Sequence, residues 1–318
     1  MGKKVQGIQG KNKIDKEGEK LMGKRIDLHI HTNMSDGVLS PKEVIDEASK
    51  NGVSIIAIAD HDTIEAYNEE LYNYAENKNI KIINAVEIST KSDKVGIHVL
   101  GYNFDINNKE LNEKLFALRN ARHKYLHDVA EKLNQLGYIL NIDKLDQIDA
   151  VTKAHIALDI VNNKENRELL MKKFNHIPSK GEFIETIMNE GCPAYVKKET
   201  ITPKEAAILI RKAGGKPILA HPVAYKYEDN LSDEEILKIV NEMEAEGIEA
   251  NYIYIDRNNN RINEVNKWNA FAKENNLMVT IGSDFHNKDG VHPQIGLINE
   301  NIDLNDEVCE YIVKKLYN

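Results

Sequence analysis

Short runs of apolar residues alternate with helical stretches along most of the chain, and this alternation limits the possible folds more than any other feature. The runs are rich in Ile and Val, which is typical of strands that are buried on both faces. Strands and helices that alternate at this spacing predict βαβ units and a mostly parallel sheet. The seven predicted strands span residues 26–30, 53–59, 80–88, 96–101, 216–220, 247–255 and 277–281.

Three of the predicted helices carry sequence signals at their ends. The segments 40–43 (Ser-Pro-Lys-Glu) and 202–205 (Thr-Pro-Lys-Glu) each predict a capping box with Pro at the first helical position. Gly52 and Gly214 follow these two helices as stop signals, and Ser232 opens a third helix. Seven strands with such helices between them favour an α/β fold with a closed or nearly closed barrel, and an open doubly wound sheet is the alternative.

One part of the chain breaks this alternation. Residues 105–190 show helical patterns and no convincing strand, with apolar residues at helical spacing between Leu111 and Leu133. We therefore predict a small helical insertion domain that lies over the barrel like a lid, where active-site covers are found in such folds. The expected division is a disordered arm at 1–22, barrel segments at 23–104 and 191–318, and the insertion at 105–190.

The composition narrows the class of protein. The net charge of -9 and the pI of about 5.7 argue against a protein that grips a long nucleic acid duplex, but they allow a pocket for one phosphate. No apolar run approaches the roughly 18–20 residues that a membrane span needs. Two cysteines in 318 residues do not make a disulfide framework, which favours a reducing compartment. We expect a cytoplasmic protein without a membrane partner, and the sequence leaves its oligomeric state open.

Imidazole and carboxylate side chains stand at or near the ends of the predicted strands. His29 and His31 form a His-x-His pair at the end of the first strand, where alternate side chains share one face and can approach one ion. Parallel strands of a barrel bring their carboxyl ends to one rim, so these side chains should converge. The predicted set is His29, His31, Asp36, His61, Glu87, His98, His221, Asp284 and His286.

This set of donors predicts a metal centre. A lone histidine in an apolar strand is usually a core residue, but an acid or imidazole at nearly every strand end is not expected by chance. Imidazole nitrogens and carboxylate oxygens suit zinc, manganese and iron, with magnesium as a further candidate. Nine ligands exceed the needs of one ion and fit two or three divalent ions. Such sites bind phosphate oxygens and produce hydroxide from water near neutral pH, which predicts hydrolysis of a phosphoric ester.

Two aspartates flank one of the predicted ligands. Asp60 and Asp62 lie on either side of His61, and either is expected to orient a ligand imidazole. For Asp62 the alternative is a cap on a helix that starts near Thr63.

The motifs that contain these residues resemble those of the PHP (polymerase and histidinol phosphatase) superfamily. The resemblance covers residues 24–296 and rests on DLHIHTNMSDG, IADHDT, VEIST, GIHVLGY, ILAHP and GSDFH. It implies a phosphoesterase with a distorted seven-stranded β/α barrel and a trinuclear metal centre, in which we assign catalytic roles to Glu87, Asp284 and His221. The implied ligands are His29, His31, Glu87 and Asp284 for the first ion, Glu87, His98 and His221 for the second, and Asp36, His61 and His286 for the third.

The insertion resembles that of a bacterial subfamily that includes nucleoside 3′,5′-bisphosphate phosphatases and 5′–3′ exoribonucleases. Arg119 and Arg122 match its Arg-x-x-Arg element, and Lys153 and His155 lie where the subfamily has Thr-Arg-x-His. The resemblance implies that these four residues bind a small phosphorylated nucleotide. Lys153 departs from the pattern, and because Lys lacks the two-pronged guanidinium, recognition of a second phosphate is in question. The alternatives are a solvated helix surface for the arginines and helix packing for His155.

Other functions stay open at this point. A relative in the same superfamily hydrolyses a cyclic phosphate of ribose, and the same metal site would also serve histidinol phosphate or a sugar phosphate. An amidohydrolase barrel often has a carboxylated lysine at a strand end, and no predicted strand here ends in one. A non-catalytic scaffold would have lost ligands, and none of the nine is missing.

Overall fold

The structure, a computed structural model, describes residues 25–317 with gaps at 94, 149–150, 198, 257 and 299–305. The arm predicted at 1–22 lies outside the described residues. No helix in these ranges is long and apolar enough to cross a membrane. The expected cytoplasmic location stays a prediction.

The described chain has a mixed α/β fold, as predicted. Its strands are β1 (Arg25–Ile30), β2 (Val53–Ile58), β3 (Lys81–Ile82), β4 (Ala85–Lys91), β5 (Gly96–Tyr102), β6 (Lys216–Leu219), β7 (Gly247–Asn251), β8 (Tyr254–Ile255), β9 (Arg261–Ile262) and β10 (Met278–Ile281). One sheet has the order β1-β2-β3 and a second has the order β10-β7-β6-β5-β4, while β8 and β9 form a separate pair.

The prediction of a mostly parallel sheet holds for part of the fold. β1, β2 and β3 are parallel to one another, and so are β6, β7 and β10. β5 is antiparallel to both of its neighbours, β4 and β6. The link between β4 and β5 is too short for a parallel pair, which needs a crossover of about a dozen residues or more.

The two main sheets touch through single bridges. Ile30 bridges to Phe285, and His61 bridges to Glu87. The pairings among the described residues therefore do not make one continuous seven-stranded barrel, and the predicted barrel is not confirmed. The predicted strand at 80–88 divides into β3 and β4, and the one at 247–255 divides into β7 and β8.

All three predicted helix starts are confirmed. Ser40, Thr202 and Ser232 each accept a backbone hydrogen bond and complete a capping box with the Glu three residues later. The helices are α1 (Pro41–Lys50), α2 (Glu69–Asn77), α3 (Lys109–Gln135), α4 (Ile142–Leu145), α5 (Lys153–Asn162), α6 (Arg167–Phe174), α7 (Lys180–Phe183), α8 (Pro203–Lys212), α9 (Pro222–Glu228), α10 (Asp233–Met243), α11 (Val265–Glu274) and α12 (Asp306–Tyr317).

The helical segment between β5 and α8 has an apolar core of its own. Helix α3 joins this segment to the rest of the fold. Its first turns place Leu111 and Leu115 in the main core, whereas Leu126 and Leu133 pack with Phe183 in a separate cluster. A separate core is what an inserted domain requires, and the boundaries at 105 and 190 stay a prediction.

Candidate metal centre

The fold brings the nine predicted ligands into one cluster. His29 lies in β1 and Glu87 in β4, while His61 and His221 lie three and two residues after the ends of β2 and β6. The side chains form three overlapping groups in which nitrogen and oxygen atoms lie close enough to share an ion. The groups are His29, His31, Glu87 and Asp284; His61, Glu87 and His98; and His31, Asp36, His61 and His286. His221 joins them through Glu87.

The donor atoms of the first group have spacings close to those of a tetrahedral metal site. The Nε2 atoms of His29 and His31 are 3.1 Å apart. Each of these nitrogens lies 3.2–3.5 Å from Oε2 of Glu87 and from Oδ1 of Asp284. Ligand atoms at 2.0–2.1 Å from zinc in a tetrahedral site are about 3.3 Å from one another. These five distances agree with a divalent ion held between the four side chains.

Glu87 links the groups through its two oxygens. Its Oε1 lies 3.0 Å from Nδ1 of His98 and 3.1 Å from Nε2 of His221. Its Oε2 faces the first group and lies 3.0 Å from Nδ1 of His61. A carboxylate placed in this way can bridge two cations.

The third group surrounds Asp36. Its Oδ1 lies 3.3 Å from Nε2 of His286 and 3.6 Å from Nδ1 of His31, and its Oδ2 lies 3.7 Å from Nε2 of His61. Oδ1 of Asp36 and Nδ1 of both His61 and His221 are buried, and within the described structure they make no aligned hydrogen bond. A buried polar atom without a partner costs about 1–3 kcal/mol, and cations bound in the groups that contain Asp36 and His61 would satisfy Oδ1 of Asp36 and Nδ1 of His61.

The charges of the cluster also favour cations. Burial disfavours the charged imidazole of His31, but hydrogen bonds to Asp284 and Glu87 raise its pKa to about 10. Burial likewise opposes ionisation of Asp284 and Glu87, yet the surrounding imidazoles hold the pKa of both carboxyls below its usual range. The carboxylates are thus ionised and hold protons on nearby imidazoles. Metal ions would replace these protons.

Glu249 supports the cluster and was not predicted from the sequence. It lies in β7, is almost completely buried, and has its two oxygens 3.0 and 3.1 Å from Nδ1 of His29. It also accepts a hydrogen bond from the backbone N–H of His221 at 3.0 Å. A carboxylate on one ring nitrogen of a histidine leaves the other nitrogen free to bind a metal. An acid within the apolar run GIEANYIYI was the signal that could have revealed it.

The backbone is strained where two of the ligands follow their strands. His221 and Asp284 have φ angles of 25° and 52°. Such conformations cost non-glycine residues of the order of 1–3 kcal/mol each and need support from the surrounding fold. The support comes from Glu249 for His221, and from the hydrogen bond between Asp284 N and His29 O, 2.9 Å long, for Asp284.

The two aspartates beside His61 have different contacts from those predicted. Asp60 accepts hydrogen bonds from the backbone and hydroxyl of Thr32 and from Ser35, so it fixes the loop that carries Asp36 rather than an imidazole. Asp62 pairs with Arg122. The alternative of a helix cap for Asp62 is wrong, because the next helix, α2, begins only at Glu69.

The two arginines predicted to bind substrate are buried rather than solvated. Arg122 donates from Nε to Asp62 at 2.8 Å and from Nη1 to the Val151 carbonyl at 3.3 Å. Arg119 donates to the Asp62 carbonyl at 3.3 Å and to Glu65 at 3.1 Å. A solvated helix surface therefore does not explain this pair. Their contacts attach α3 to the loop after β2.

The other two predicted substrate residues lie at the start of α5. His155 accepts a hydrogen bond from the Thr152 backbone at 3.1 Å, and burial lowers its pKa although Asp36 opposes the shift. Lys153 donates to Asn189 at 3.2 Å. Burial, and then the nearby charge of Lys91, lowers the pKa of Lys153. At the start of α5, His155 therefore lies within range of the charge of Asp36 in the cluster. Lys153 lies within range of a second positive charge, that of Lys91.

Two cavities meet at the cluster. One of about 430 Å³ opens onto the imidazoles and carboxylates and extends to Tyr225 and Tyr252. The other, of about 320 Å³, is lined by residues of the barrel part and of the insertion, including Arg122 and Lys153. Gly96 and His98 line both cavities. We call them the cluster cavity and the basic cavity, because Lys91, Arg122, Lys153 and Lys197 line the second one.

The fold and this site together define a metal-dependent hydrolase. The chain belongs to the PHP family, because the model of the PHP domain matches residues 27–260. This range contains all the predicted ligands except Asp284 and His286.

Curated relatives show what this family includes. The chain is 31% identical over 268 residues to a protein named 5′-3′ exoribonuclease from Haemophilus influenzae, which covers 83% of this chain and 91% of the relative. It is 26% identical over 267 residues to a 3′,5′-nucleoside bisphosphate phosphatase from Chromobacterium violaceum, covering 82% and 87%. The protein is therefore an enzyme, a metal-dependent phosphoesterase of the PHP family.

A solved structure supports the fold. A protein of Bifidobacterium adolescentis that was assigned as a metal-dependent phosphoesterase matches with a TM-score of 0.70 and 22% sequence identity. The match covers 92% of this chain and 96% of that one. At this identity the likeness concerns the fold alone.

Proposed function

We propose that the enzyme hydrolyses a small 5′-phosphorylated nucleotide at its 3′ phosphate, either a nucleoside 3′,5′-bisphosphate or the 5′ end of a short RNA. The observation that carries this proposal is the junction of the cluster cavity and the basic cavity at Gly96 and His98. A nucleotide with two phosphates can place the reacting one at the cluster and the other among the lysines. A substrate with a single phosphate would leave the basic cavity without an anion.

The activities named for the two relatives both break the bond between O3′ of a nucleotide and the phosphorus attached to it. Removal of nucleotides from a 5′ end requires attack at the phosphorus on the 3′ side of the first nucleotide. The same attack on a nucleoside 3′,5′-bisphosphate breaks the bond between phosphorus and O3′. Water supplies the oxygen that phosphate gains, and a proton returns to the departing O3′.

The predicted ligands would hold two or three divalent ions, with Mn, Zn or Fe favoured by the donor set and Mg a further candidate. When bound, such ions lower the pKa of water and stabilise charge on phosphoryl oxygens. Glu87 would hold neighbouring cations through its two oxygens, Asp284 would add a ligand that Tyr252 contacts at 3.3 Å, and His221 would bind beside Glu87. These three are the residues that we propose as catalytic.

The basic cavity would hold the phosphate that does not react. Lys153 is well suited to this, because burial and Lys91 already disfavour its charge and an anion would relieve both effects. Arg122 lines the same cavity, but its guanidinium is already bound to Asp62. We propose direct contact for Lys153 and Arg122. For His155 and Arg119 we propose contact at the edge of the site.

We also propose the two features of the fold that were predicted from the sequence, a distorted seven-stranded barrel and an insertion that covers its rim. The bridges at Ile30 and His61 would complete a distorted seven-stranded barrel, and the insertion would cover the rim of that barrel. The basic cavity supports the second point, because residues of the barrel part and of the insertion line it together, and Arg122 of the insertion donates a hydrogen bond to Ser89 of the barrel part at 2.8 Å.

Product analysis on a substrate panel tests the proposal. Released inorganic phosphate is measured for the monoesters, and the products of the RNA and of the cyclic phosphate, which are diesters, are separated by chromatography. The panel contains adenosine 3′,5′-bisphosphate, adenosine 5′-phosphate, a cyclic ribose phosphate, histidinol phosphate and a short 5′-phosphorylated RNA, each with protein loaded with Mn²⁺. We expect the bisphosphate or the RNA to be preferred. Lys153→Ala should raise KM for the preferred substrate by about tenfold, whereas Lys173→Ala, on an exposed face of the insertion, should not.

Two results would contradict the proposal. One is a preference for histidinol phosphate or the cyclic phosphate, which would favour those alternatives on the same metal site. The other is full activity of Glu87→Ala, which would show that the cluster is not where the reaction occurs.

A further inference from the structure

The cluster cavity has an acidic wall on the side formed by the end of α9. Glu228 and Asp229 line this cavity together with Tyr225 and Tyr252. Both acids are solvent-exposed, and neither forms an ion pair with a Lys or Arg of the described ranges. The wall is therefore a place of uncompensated negative charge beside the metal cluster.

His221 separates this wall from the basic cavity. Its ring centroid lies 5.4 Å from that of His98, which lines both cavities. The rings of Tyr225 and Tyr252 lie 5.4 and 5.5 Å from His221. A molecule bound at the cluster thus meets positive charge beyond His98 and negative charge beyond the two tyrosines.

We propose that Glu228 and Asp229 select substrates in which the reacting phosphate is the last anionic group, so that a mononucleotide bisphosphate is preferred over RNA that carries further phosphates beyond the reacting one. This inference rests on the proposed function and chooses between its two substrates. The phosphate that does not react is drawn towards the lysines. Each nucleotide after the first one beyond the scissile bond adds a phosphate on the other side, where the acidic wall repels it.

The expected size of the effect follows from exposed charge pairs. Such pairs contribute up to about 1 kcal/mol each, and salt weakens them over a distance of about 8–10 Å. Two carboxylates facing one added phosphate should therefore reduce kcat/KM by roughly 5- to 20-fold at low ionic strength. The reduction should shrink as salt is added.

A series of adenosine substrates tests the inference. Metal-loaded enzyme is given pAp, pApA, pApApA and pApApApA. The number of phosphates beyond the reacting one is zero in pAp and in the diester pApA, one in pApApA and two in pApApApA. The wild type should lose activity relative to pApA from pApApA onwards at low salt. Glu228→Gln/Asp229→Asn should lose clearly less along the series. Glu76→Gln/Glu274→Gln removes the same charge from exposed positions that line neither cavity, and it should behave like the wild type.

The outcomes separate this inference from the proposed function. Equal or rising activity from pApA to pApApApA in the wild type would overturn the inference and favour RNA. So would a decline that is the same in the Glu228/Asp229 variant. Loss of all activity on every member, with the metal ions present, would instead contradict the proposed function itself.

Discussion

Glu249 holds His29 with both carboxylate oxygens, 3.0 and 3.1 Å from Nδ1. The pair joins β7 to β1, although the two residues are far apart in the chain. The contact places the ring proton on Nδ1 and directs the Nε2 lone pair at the predicted first ion. The same carboxylate also holds the backbone of His221, so one side chain positions two parts of the cluster.

Replacement of this acid should weaken metal binding. Glu249→Gln retains the shape of the side chain but removes one acceptor and the charge, so we expect a 10- to 100-fold loss of Mn²⁺ or Zn²⁺ affinity. Calorimetric titration of the metal-free protein measures this loss. Glu246→Gln, an exposed acid just before the same strand, is the control. Unchanged affinity in Glu249→Gln would show that the contact does not direct His29.

The protonation of His31 predicts how pH acts on the metal-free protein. Its pKa rises from 6.5 to about 10 in the fold, so its contribution to stability is complete below about pH 6.5 and is lost as the pH rises through about 10. Urea unfolding of chelator-treated protein should therefore show falling stability across this range. Metal-loaded protein should not show this loss, and its apparent metal affinity should fall as the pH is lowered, because protons compete. A flat profile for the metal-free protein would contradict the prediction.

The buried pair between Arg122 and Asp62 should matter for stability as well as for substrate. Arg122→Ala leaves a buried carboxylate without its partner, which should cost about 3–5 kcal/mol in the free energy of unfolding. Urea denaturation measures this cost. The double variant Arg122→Met/Asp62→Asn removes both charges and should recover part of the loss. If the single variant unfolds like the wild type, the pair does not attach α3 to the loop after β2.

Tyr125 lines the basic cavity and has a buried hydroxyl with no hydrogen-bond partner among the described residues. Tyr125→Phe should leave stability nearly unchanged, because no hydrogen bond to described residues is lost. If the hydroxyl binds the substrate, KM for adenosine 3′,5′-bisphosphate should rise by about 3- to 10-fold at similar kcat. Steady-state kinetics with the bisphosphate and with adenosine 5′-phosphate measure the effect. Equal KM in variant and wild type would show that the hydroxyl does not take part in binding.

Much of the fold could be predicted because its signals are local. The capping boxes at Ser40, Thr202 and Ser232 depend on residues within one helical turn, and all three are present. The antiparallel pairing of β5 with β6 was not predicted. The two strands are separated in the sequence by the long insertion, so no local pattern indicates their relative direction. The direction relative to β4 could have been read from the short link between the two strands.

The sequence by itself determined which side chains could bind cations, because acids and imidazoles at strand ends can be recognised one strand at a time. The tertiary structure decided how they meet. It brought four donor atoms of His29, His31, Glu87 and Asp284 close enough to share an ion, directed Arg122 towards Asp62, and brought Glu249 to His29. These relationships join residues separated by tens to hundreds of positions. They depend on strand order and side-chain conformation, which packing of the whole chain sets and no local pattern records.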